Sequence, residues 1–400
     1  MGQATLISFD RSGLSAATEL QSWATLEQAG RENCEKYQTT LVILTYHSRF
    51  FYTKHDGRMN VLITGHKGFI GTIMVPLLQS YGHKVRGIDR DLYRNSTYGP
   101  PPEPVDEIIK DVRDIELADL KGVDAVVCLA ALSNDVLGDL NPDVTYEINH
   151  RAAVRLAELA QELGIQRYVF ASSCSMYGAS GGQEALDESA GFNPVTAYAK
   201  SKVLVERDVS QMASDRFSPT FMRNATAYGM SPRIRFDVVL NNLSAWAYTT
   251  GQVHMKSDGT PCRPVVHIED ISRAVAAVLA APREKVHNEA FNVGRNDENY
   301  QIRELAEMVV ETIPNCELSF AEGAAPDTRN YRVKFDKYER TFPEFPLEWS
   351  ARRAARHIYE SYRQIGLGRD EYEGPRYKRI AQLKTLLASG ALNDTMRWVA

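Results

Sequence analysis

Three glycines spaced three residues apart constrain this chain more than any other feature. Gly65, Gly68 and Gly71 follow a β-branched run, Asn60–Thr64, and open an apolar segment that predicts a helix over residues 68–81. A strand, a glycine turn and a helix in this order can cradle a pyrophosphate, because the helix N-terminus offers unpaired N–H groups and glycine lets the backbone approach the phosphates. We therefore predict a dinucleotide site here. The predicted cofactor-binding residues in this turn are Gly65, Lys67, Gly68, Phe69, Ile70 and Gly71.

Strands and helices alternate beyond the turn. Apolar runs at Lys84–Asp89, 125–131 and 168–172 predict strands, and residues 149–163 predict a helix. Continuous apolar strands between helices indicate a parallel sheet that is covered on both faces. The expected fold class is α/β, a Rossmann-type doubly wound parallel sheet with a smaller C-terminal substrate-binding α/β region.

Changes in residue composition along the chain predict four parts. Residues 1–58 carry no recognisable chemistry and form an N-terminal extension of unknown role. Residues 59–225 are the expected dinucleotide-binding domain, which also contains the catalytic residues. Gly, Pro and Arg cluster in the loops of residues 226–365, which we interpret as mainly a substrate-binding region. Residues 366–400 are charged and predict a helical tail.

Composition argues against several classes of protein. With 44% apolar residues and a net charge of −5, the 400-residue chain is typical of globular proteins rather than of proteins that bind nucleic acid through bulk charge. Five cysteines without CxxC spacing predict neither a disulfide framework nor a metal site, and they favour a reducing compartment. No apolar run is long enough to span a bilayer, and no signal peptide is evident. We expect a cytoplasmic protein without membrane partners.

A tyrosine and a lysine four residues apart carry the predicted catalytic chemistry. Tyr198 and Lys202 lie in a helical pattern, so their side chains are expected on one face of a helix. A free phenol has a pKa of about 10, and a nearby ammonium favours its ionised form. A serine-rich strand end, residues 172–175, lies between this pair and the glycine turn. We predict that the three elements meet at one site.

In their order and spacing, these motifs resemble the extended short-chain dehydrogenase/reductase superfamily, and within it the NAD-dependent epimerase/dehydratase family. The resemblance covers about residues 59–345 and rests on the GxxGxxG turn, the serine-rich segment and the YxxxK pair. It implies that Ser173, Tyr198 and Lys202 form the catalytic triad, with Tyr198 and Lys202 also contacting the cofactor.

The end of the second strand bears on the choice of cofactor. A carboxylate at Asp89 accepts hydrogen bonds from both ribose hydroxyls and repels a 2′-phosphate, which favours NAD over NADP. Arg90 beside it is the residue able to hold such a phosphate. The resemblance further places Asp111 and Val112 at the adenine. It also places two alanines under the cofactor and an asparagine on the cofactor-side helix; these are Ala130, Ala131 and Asn149.

The two residues that directly follow Ser173 distinguish branches of the family. Sugar-nucleotide 4,6-dehydratases carry Asp-Glu where this chain has Cys174 and Ser175, so the acid–base pair that removes water is missing. Related 3,5-epimerases use a cysteine, at the position of Ser175. A catalytic role for Cys174 or Ser175 therefore stays open beside the alternative that Cys174 is a small residue filling the pocket floor.

Two later segments resemble substrate-binding motifs. Asn242 matches a residue that contacts a nucleotide diphosphate, and Arg263 matches the arginine that binds it, since a guanidinium fork can engage two oxygens at once. Arg329 and Arg332 are the candidates for a second arginine of this kind. Ser133, just after the third assigned strand, lies where a substrate hydroxyl could reach, although a solvated loop explains it equally well.

The resemblance implies an NAD-dependent enzyme acting on a nucleotide-diphosphate sugar. Tyr198 would take the proton of a sugar hydroxyl while NAD takes the hydride, and return of the hydride to the other face would make the enzyme an epimerase. An NAD(P)H-dependent 4-ketosugar reductase is the alternative. A dehydratase and a non-catalytic NAD-sensing regulator are less favoured. We also expect a homodimer.

Overall fold

The computed structural model describes residues 57–178, 184–255, 257–321 and 330–399. All but two residues of the predicted extension 1–58 lie outside the described residues, and so does Arg329. The strands are, in chain order, β1 (Asn60–Thr64), β2 (Lys84–Asp89), β3 (Asp106–Ile109), β4 (Ala125–Cys128), β5 (Arg167–Ser173), β6 (Ala185–Leu186), β7 (Ser218–Asn224), β8 (Thr226–Tyr228), β9 (Gln252–Met255), β10 (Cys262–His267), β11 (Glu289–Val293), β12 (Asn299–Gln301), β13 (Glu317–Phe320) and β14 (Arg332–Val333).

Helices separate most of the strands. The α-helices are α1 (Gly71–Ser80), α2 (Asp135–Gly138), α3 (Pro142–Tyr146), α4 (Ala152–Glu162), α5 (Ala197–Ser210), α6 (Val239–Thr250), α7 (Ile268–Ala280), α8 (Arg283–Val286), α9 (Ile302–Thr312), α10 (Asp336–Thr341), α11 (Ala351–Ile365), α12 (Arg369–Glu373) and α13 (Arg379–Ala388). Short 3₁₀ turns cover Val112–Asp114, Leu117–Leu120 and Cys174–Tyr177, and a π turn, Glu147–Arg151, leads into α4.

Within the described residues, the main sheet has seven parallel strands in the order β11-β7-β5-β4-β1-β2-β3. The chain builds outward from β1 to β3 and then returns to place β4 on the other side of β1. This reversal opens a crevice at the carboxyl ends of β1 and β4, the usual ligand site of such sheets. The doubly wound parallel sheet predicted from the sequence is confirmed.

Alternate residues of β1 enter two different cores. Val61 and Ile63 pack in a cluster with side chains of α1 and α7, whereas Leu62 packs in a cluster with α4 and α5. Because neighbouring side chains of a strand point to opposite faces, both faces of the sheet are covered. This is why the strand is apolar throughout instead of alternating with polar residues.

The later part of the chain adds a second core and smaller sheets. Side chains from α6, α9 and α11 form a separate apolar cluster, and β12, β10 and β8 form a three-stranded sheet beside it. Strand β11, from the region expected to serve mainly the substrate, completes the edge of the main sheet. Among the described residues, no helix is both long enough and apolar enough to cross a membrane.

Replacing Gly71 by alanine should destabilise the glycine turn. A Cβ there would lie 2.6 Å from the Cα of His66 and still closer to the Gly65 carbonyl oxygen. Backbone atoms cannot rotate aside, so we expect Gly71→Ala to lower the free energy of unfolding by about 1–3 kcal/mol, the usual cost of overpacking. Urea denaturation measures the change.

The matched control for this variant is Gly191→Ala, since a Cβ at Gly191 meets no atom within 4 Å. It should alter stability by no more than about 0.5 kcal/mol. Equal stability of the parent and both variants would mean that the turn accommodates a side chain freely, contrary to the geometry described above.

Candidate active site

A cavity of about 540 Å³ opens at the carboxyl ends of the central strands. Its lining residues follow β1, β2, β4, β5 and β7, with contributions from later loops. The residues predicted from the sequence that line it are Gly65, Lys67, Gly68, Phe69, Ile70, Gly71, Asp89, Arg90, Asp111, Val112, Ala130, Ala131, Ser133, Ser173, Ser175, Tyr198, Lys202 and Arg263. One cavity therefore brings together the glycine turn and the predicted catalytic residues.

Asp89 connects the end of β2 to the glycine turn. Its carboxylate accepts one hydrogen bond from the Lys67 backbone N–H at 3.0 Å and one from the Asp91 N–H at 2.7 Å. Burial raises the pKa of this carboxyl, and the two backbone donors act in the opposite direction. The carboxylate is thus held in a fixed orientation on the wall of the cavity.

The predicted catalytic triad is assembled between β5 and α5. Thr196 caps α5 by accepting the Ala199 N–H at 3.2 Å. Tyr198 and Lys202 then follow on one face of the helix, with the Lys202 Nζ 5.6 Å from the centre of the phenol ring. The Ser173 hydroxyl, at the end of β5, lines the same cavity and lies close enough to the Tyr198 phenol to act on its pKa. The sequence prediction that these three side chains meet agrees with this geometry.

Burial dominates the electrostatics of the tyrosine and lysine. It raises the pKa of Tyr198 to about 12, although the hydrogen bond from Ser173 acts in the opposite direction. Burial lowers the pKa of Lys202 to about 8, and the amine donates a hydrogen bond to the Ala171 carbonyl at 2.6 Å. Each group resists ionisation in this pocket, so an additional positive charge near the phenol is needed to make it a base.

Comparison with known proteins identifies the family. The model of the NAD dependent epimerase/dehydratase family matches residues 61–294, more than half of the chain. This chain belongs to that family. The resemblance drawn from the sequence is therefore confirmed, and so are the expected NAD cofactor and enzyme class.

Individual relatives agree with the family assignment. An uncharacterized UDP-glucose epimerase, YtcB of Bacillus subtilis, is 28% identical over 250 residues, which cover 59% of this chain and 77% of the relative. A UDP-glucose 4-epimerase of Corynebacterium glutamicum is 26% identical over 270 residues, covering 63% of this chain and 80% of that protein. The structure of MoeE5 in complex with UDP-glucose and NAD is 26% identical, with a TM-score of 0.66 over 77% of this chain and all of MoeE5.

The cavity of this family member fits a dinucleotide. Gly65 has φ of +78°, and a Cβ there would lie 2.8 Å from the Ala130 backbone nitrogen, so only glycine allows this close approach of two backbones. Two polar atoms that line the cavity, Ser175 Oγ and Asn224 Oδ1, are buried without a hydrogen-bond partner in the described part of the chain. Such atoms are available to a polar ligand.

The residues expected at the adenosine end are already engaged by the protein. Arg113 pairs with the Asp111 carboxylate at 2.7 Å, and its contacts outweigh burial to hold the pKa of Asp111 below its usual range. Arg90 donates to the Trp398 carbonyl at 3.2 Å, while the Trp398 indole N–H donates to the Arg90 carbonyl at 3.1 Å. This pairing competes with a role for Arg90 in holding a 2′-phosphate, in agreement with NAD as the cofactor.

Cys174 and Ser175 occupy different surroundings in the 3₁₀ turn after β5. Cys174 is 1% exposed, donates from Sγ to the Arg223 carbonyl at 3.1 Å and does not line the cavity. Burial raises the pKa of its thiol. Ser175 does line the cavity. A chemical role for either residue stays a prediction, and Ser175 is the better placed of the two.

Two predicted asparagines lie outside the cavity lining. Asn149 is 1% exposed and bonds to Leu132, accepting its N–H at 2.8 Å and donating to its carbonyl at 3.1 Å. It also reaches the Ser201 hydroxyl at 3.3 Å, which fixes the loop after β4 against α5. The amide oxygen of Asn242 accepts the Tyr372 hydroxyl at 2.8 Å, a contact with the tail.

Several lining residues were not identified from the sequence. Arg235 donates to the Ser133 hydroxyl at 2.9 Å and pairs with Asp237 at 2.9 Å. Their loop was expected to serve a substrate site, but its composition does not say which side chains turn inward. Arg379 and Met396 come from the tail, where no motif marks them.

Replacing the buried Lys202 by methionine should change how stability depends on pH. Burial lowers the pKa of Lys202 to about 8 from a model-compound value of 10.5. Between these values the unfolded chain binds more protons than the folded chain, so the free energy of unfolding of the parent rises with pH. Across this pH range, the free energy of unfolding of the parent should rise by up to about 3 kcal/mol relative to that of Lys202→Met, because one pKa unit corresponds to about 1.4 kcal/mol.

Urea denaturation at a series of pH values tests this expectation. Lys200→Met removes a lysine from an exposed position of α5 and is the matched control, whose free energy of unfolding should stay within about 0.5 kcal/mol of that of the parent at each pH. If the difference between the parent and Lys202→Met were also constant, the lysine amine would not be titrating in a buried environment.

Proposed function

We propose that this chain is an NAD-dependent nucleotide-sugar epimerase that acts through transient oxidation of a sugar hydroxyl to a ketone. The observation that carries the proposal is the meeting of Ser173, Tyr198 and Lys202 in the cavity of the glycine turn. The names of the relatives, UDP-glucose epimerase and UDP-glucose 4-epimerase, support a sugar nucleotide as substrate.

Each member of the triad has a part that its contacts support. Tyr198 takes the proton of the sugar hydroxyl, and the Ser173 hydroxyl, which acts on the pKa of the phenol, holds the same oxygen. Lys202 supplies a positive charge 5.6 Å from the phenol ring, which favours the phenolate. NAD, when bound, supplies the acceptor for the hydride from the reacting carbon.

Epimerisation requires this chemistry to run forward and then backward. The O–H and C–H bonds of one sugar carbon break, and a ketone forms. The ketone presents its other face, and both bonds are rebuilt with the opposite configuration, so no net oxidation occurs. Tyr198 returns the proton in the second half, which needs no other acid.

The substrate's diphosphate is proposed to bind Arg263. This guanidinium lines the cavity, is 9% exposed, and lies 5.3 Å over the Tyr331 ring. One of its nitrogens donates to the Cys262 carbonyl at 2.8 Å, which fixes the fork. A contact with the diphosphate serves to position the sugar ring rather than to react with it.

A dehydratase is the weaker candidate, since the two positions after Ser173 carry no carboxylate and Cys174 is packed away from the cavity. A 4-ketosugar reductase differs from an epimerase only in whether the cofactor is exchanged.

The proposal also includes a homodimer and a cytoplasmic location, which rest on the family resemblance and on the cysteine pattern of the sequence.

Turnover of sugar nucleotides by the parent and by Tyr198→Phe tests the function. The parent, incubated with UDP-glucose, UDP-N-acetylglucosamine, UDP-glucuronate and their dTDP, GDP and CDP counterparts, should interconvert one epimer pair without added reduced cofactor. Tyr198→Phe should lose at least about a thousandfold in turnover, since general acid–base catalysis contributes on that order. Its affinity for NAD, measured by calorimetry, should stay within a few fold.

Tyr146→Phe, on α3 and outside the cavity lining, is the matched control and should turn over normally. Accumulation of a ketosugar together with reduction of added NAD or NADP would instead identify a reductase working in its reverse direction. Loss of water from the sugar, seen by mass spectrometry, would identify a dehydratase. Near-normal turnover by Tyr198→Phe would remove this phenol from the mechanism.

Arg263→Ala should raise KM for the sugar nucleotide by about ten- to a hundredfold, since a charge-assisted hydrogen bond is worth roughly 1.5–3 kcal/mol. Arg263→Lys should rescue only in part, because a point charge lacks the planar fork. Steady-state kinetics with the substrate found above provide the measurement. An unchanged KM would mean that the substrate's diphosphate binds elsewhere.

A further inference from the structure

The tail contributes a buried guanidinium to the cavity. Arg379, the first residue of α13, lines the cavity and is 2% exposed. Its Nη2 donates to the Arg233 carbonyl at 2.9 Å, and the guanidinium stacks on the Tyr93 ring at 3.9 Å from the centre. Its Nη1 is buried without a hydrogen-bond partner among the residues that the structure describes.

The carboxylates nearest to Arg379 are paired with other arginines. Arg233 pairs with Asp91 at 3.0 Å and Arg235 pairs with Asp237 at 2.9 Å, whereas Arg379 forms no ion pair within the described ranges. Burial lowers the pKa of Arg379 to about 10, and repulsion from Arg235 and Arg233 acts in the same direction. Asp237 acts in the opposite direction, but its carboxylate is paired with Arg235.

A series of hydrogen bonds connects this guanidinium to the helix of the glycine turn. The Thr72 hydroxyl, in the first turn of α1, bonds to the Ser231 hydroxyl at 2.8 Å. Ser231 accepts the Arg233 N–H at 3.0 Å, and the Arg233 carbonyl accepts from Arg379. Arg379 thus belongs to the loop wall that packs directly on the N-terminal end of α1, where a pyrophosphate is expected.

Contacts near the C-terminus hold this wall in place. Met396 lines the cavity and packs with Leu383 and Leu392 against Leu132 of the loop after β4. Beyond it, Trp398 exchanges two hydrogen bonds with Arg90, as described above. The tail therefore closes one side of the cofactor cavity, although it lies beyond the residues that the family model matches.

We propose that Arg379 is a diphosphate-binding residue of this cavity, with its unpartnered Nη1 donating to a phosphate oxygen. The bound NAD is the first source of that group, given the link to α1. The diphosphate of the substrate is the second, and this second assignment rests on the proposed function. A guanidinium that is desolvated and unpaired before binding gives a strong charge-assisted contact, since the cost of burying it has already been met in the folded chain.

Binding measurements on the Arg379→Met variant test the proposal without requiring turnover. Isothermal titration should show NAD binding weakened by about ten- to a hundredfold, the loss expected for one charge-assisted hydrogen bond. Arg379→Lys should recover part of the affinity. Lys384→Met removes a charge from an exposed position of the same helix and should bind NAD within twofold of the parent.

Two further ligands identify the source of the phosphate and separate binding from structure. Weakened binding of UDP with unchanged NAD binding would assign Arg379 to the substrate's diphosphate and uphold the site. Adenosine, which carries no phosphate, should bind the parent and Arg379→Met equally.

The proposal is overturned if NAD and UDP both bind Arg379→Met as tightly as they bind the parent. It is also overturned if the affinity for adenosine falls as much as the affinity for NAD. Should Arg379→Met fail to fold, Arg379→Gln, which is polar and uncharged but shorter than arginine, is judged by the same ligands. Because all of these are binding assays, they stay decisive even if no sugar nucleotide is turned over.

Discussion

The close approach of Gly65 to Ala130 sets the geometry on which the rest of the site depends. A Cβ at Gly65 would lie 2.8 Å from the backbone nitrogen of Ala130, two residues after β4 ends. With that contact allowed, β1 and β4 can lie side by side at the point where the chain reverses, and the turn can lead directly into α1. The cavity opens where this reversal leaves space at the carboxyl ends of the two strands.

Within that space, burial gives the tyrosine and lysine opposite shifts. Burial raises the pKa of the Tyr198 phenol to about 12 and lowers the pKa of the Lys202 amine to about 8. An ionised phenol beside a protonated amine would require the phenol to have the lower of the two pKa values. The protein's own groups keep the proton on Tyr198. A cationic ligand ring beside the phenol would favour its ionised form, which would make the proposed proton transfer depend on an occupied cofactor site.

Local patterns predicted the parts of this molecule that are built from local chemistry. Strand β2 has the bounds read from its apolar run, and Tyr198 and Lys202 share a helix face because their spacing matches one turn. Cys174 and Ser175 could not be separated in this way, since a 3₁₀ turn sends neighbouring side chains to opposite sides. Asn242 and Arg379 depend on contacts between segments far apart in the chain, and no periodicity encodes such contacts.

The pairing of Trp398 with Arg90 joins residues 308 positions apart. Closing a loop of that length is entropically unfavourable until the intervening chain is already ordered. The central sheet can therefore form while the cofactor cavity is still open along one side, and the cavity becomes complete only when the last folded segment docks. During synthesis, Arg90 would leave the ribosome long before its partner Trp398, so this side of the cavity can form only after the later segment has been made.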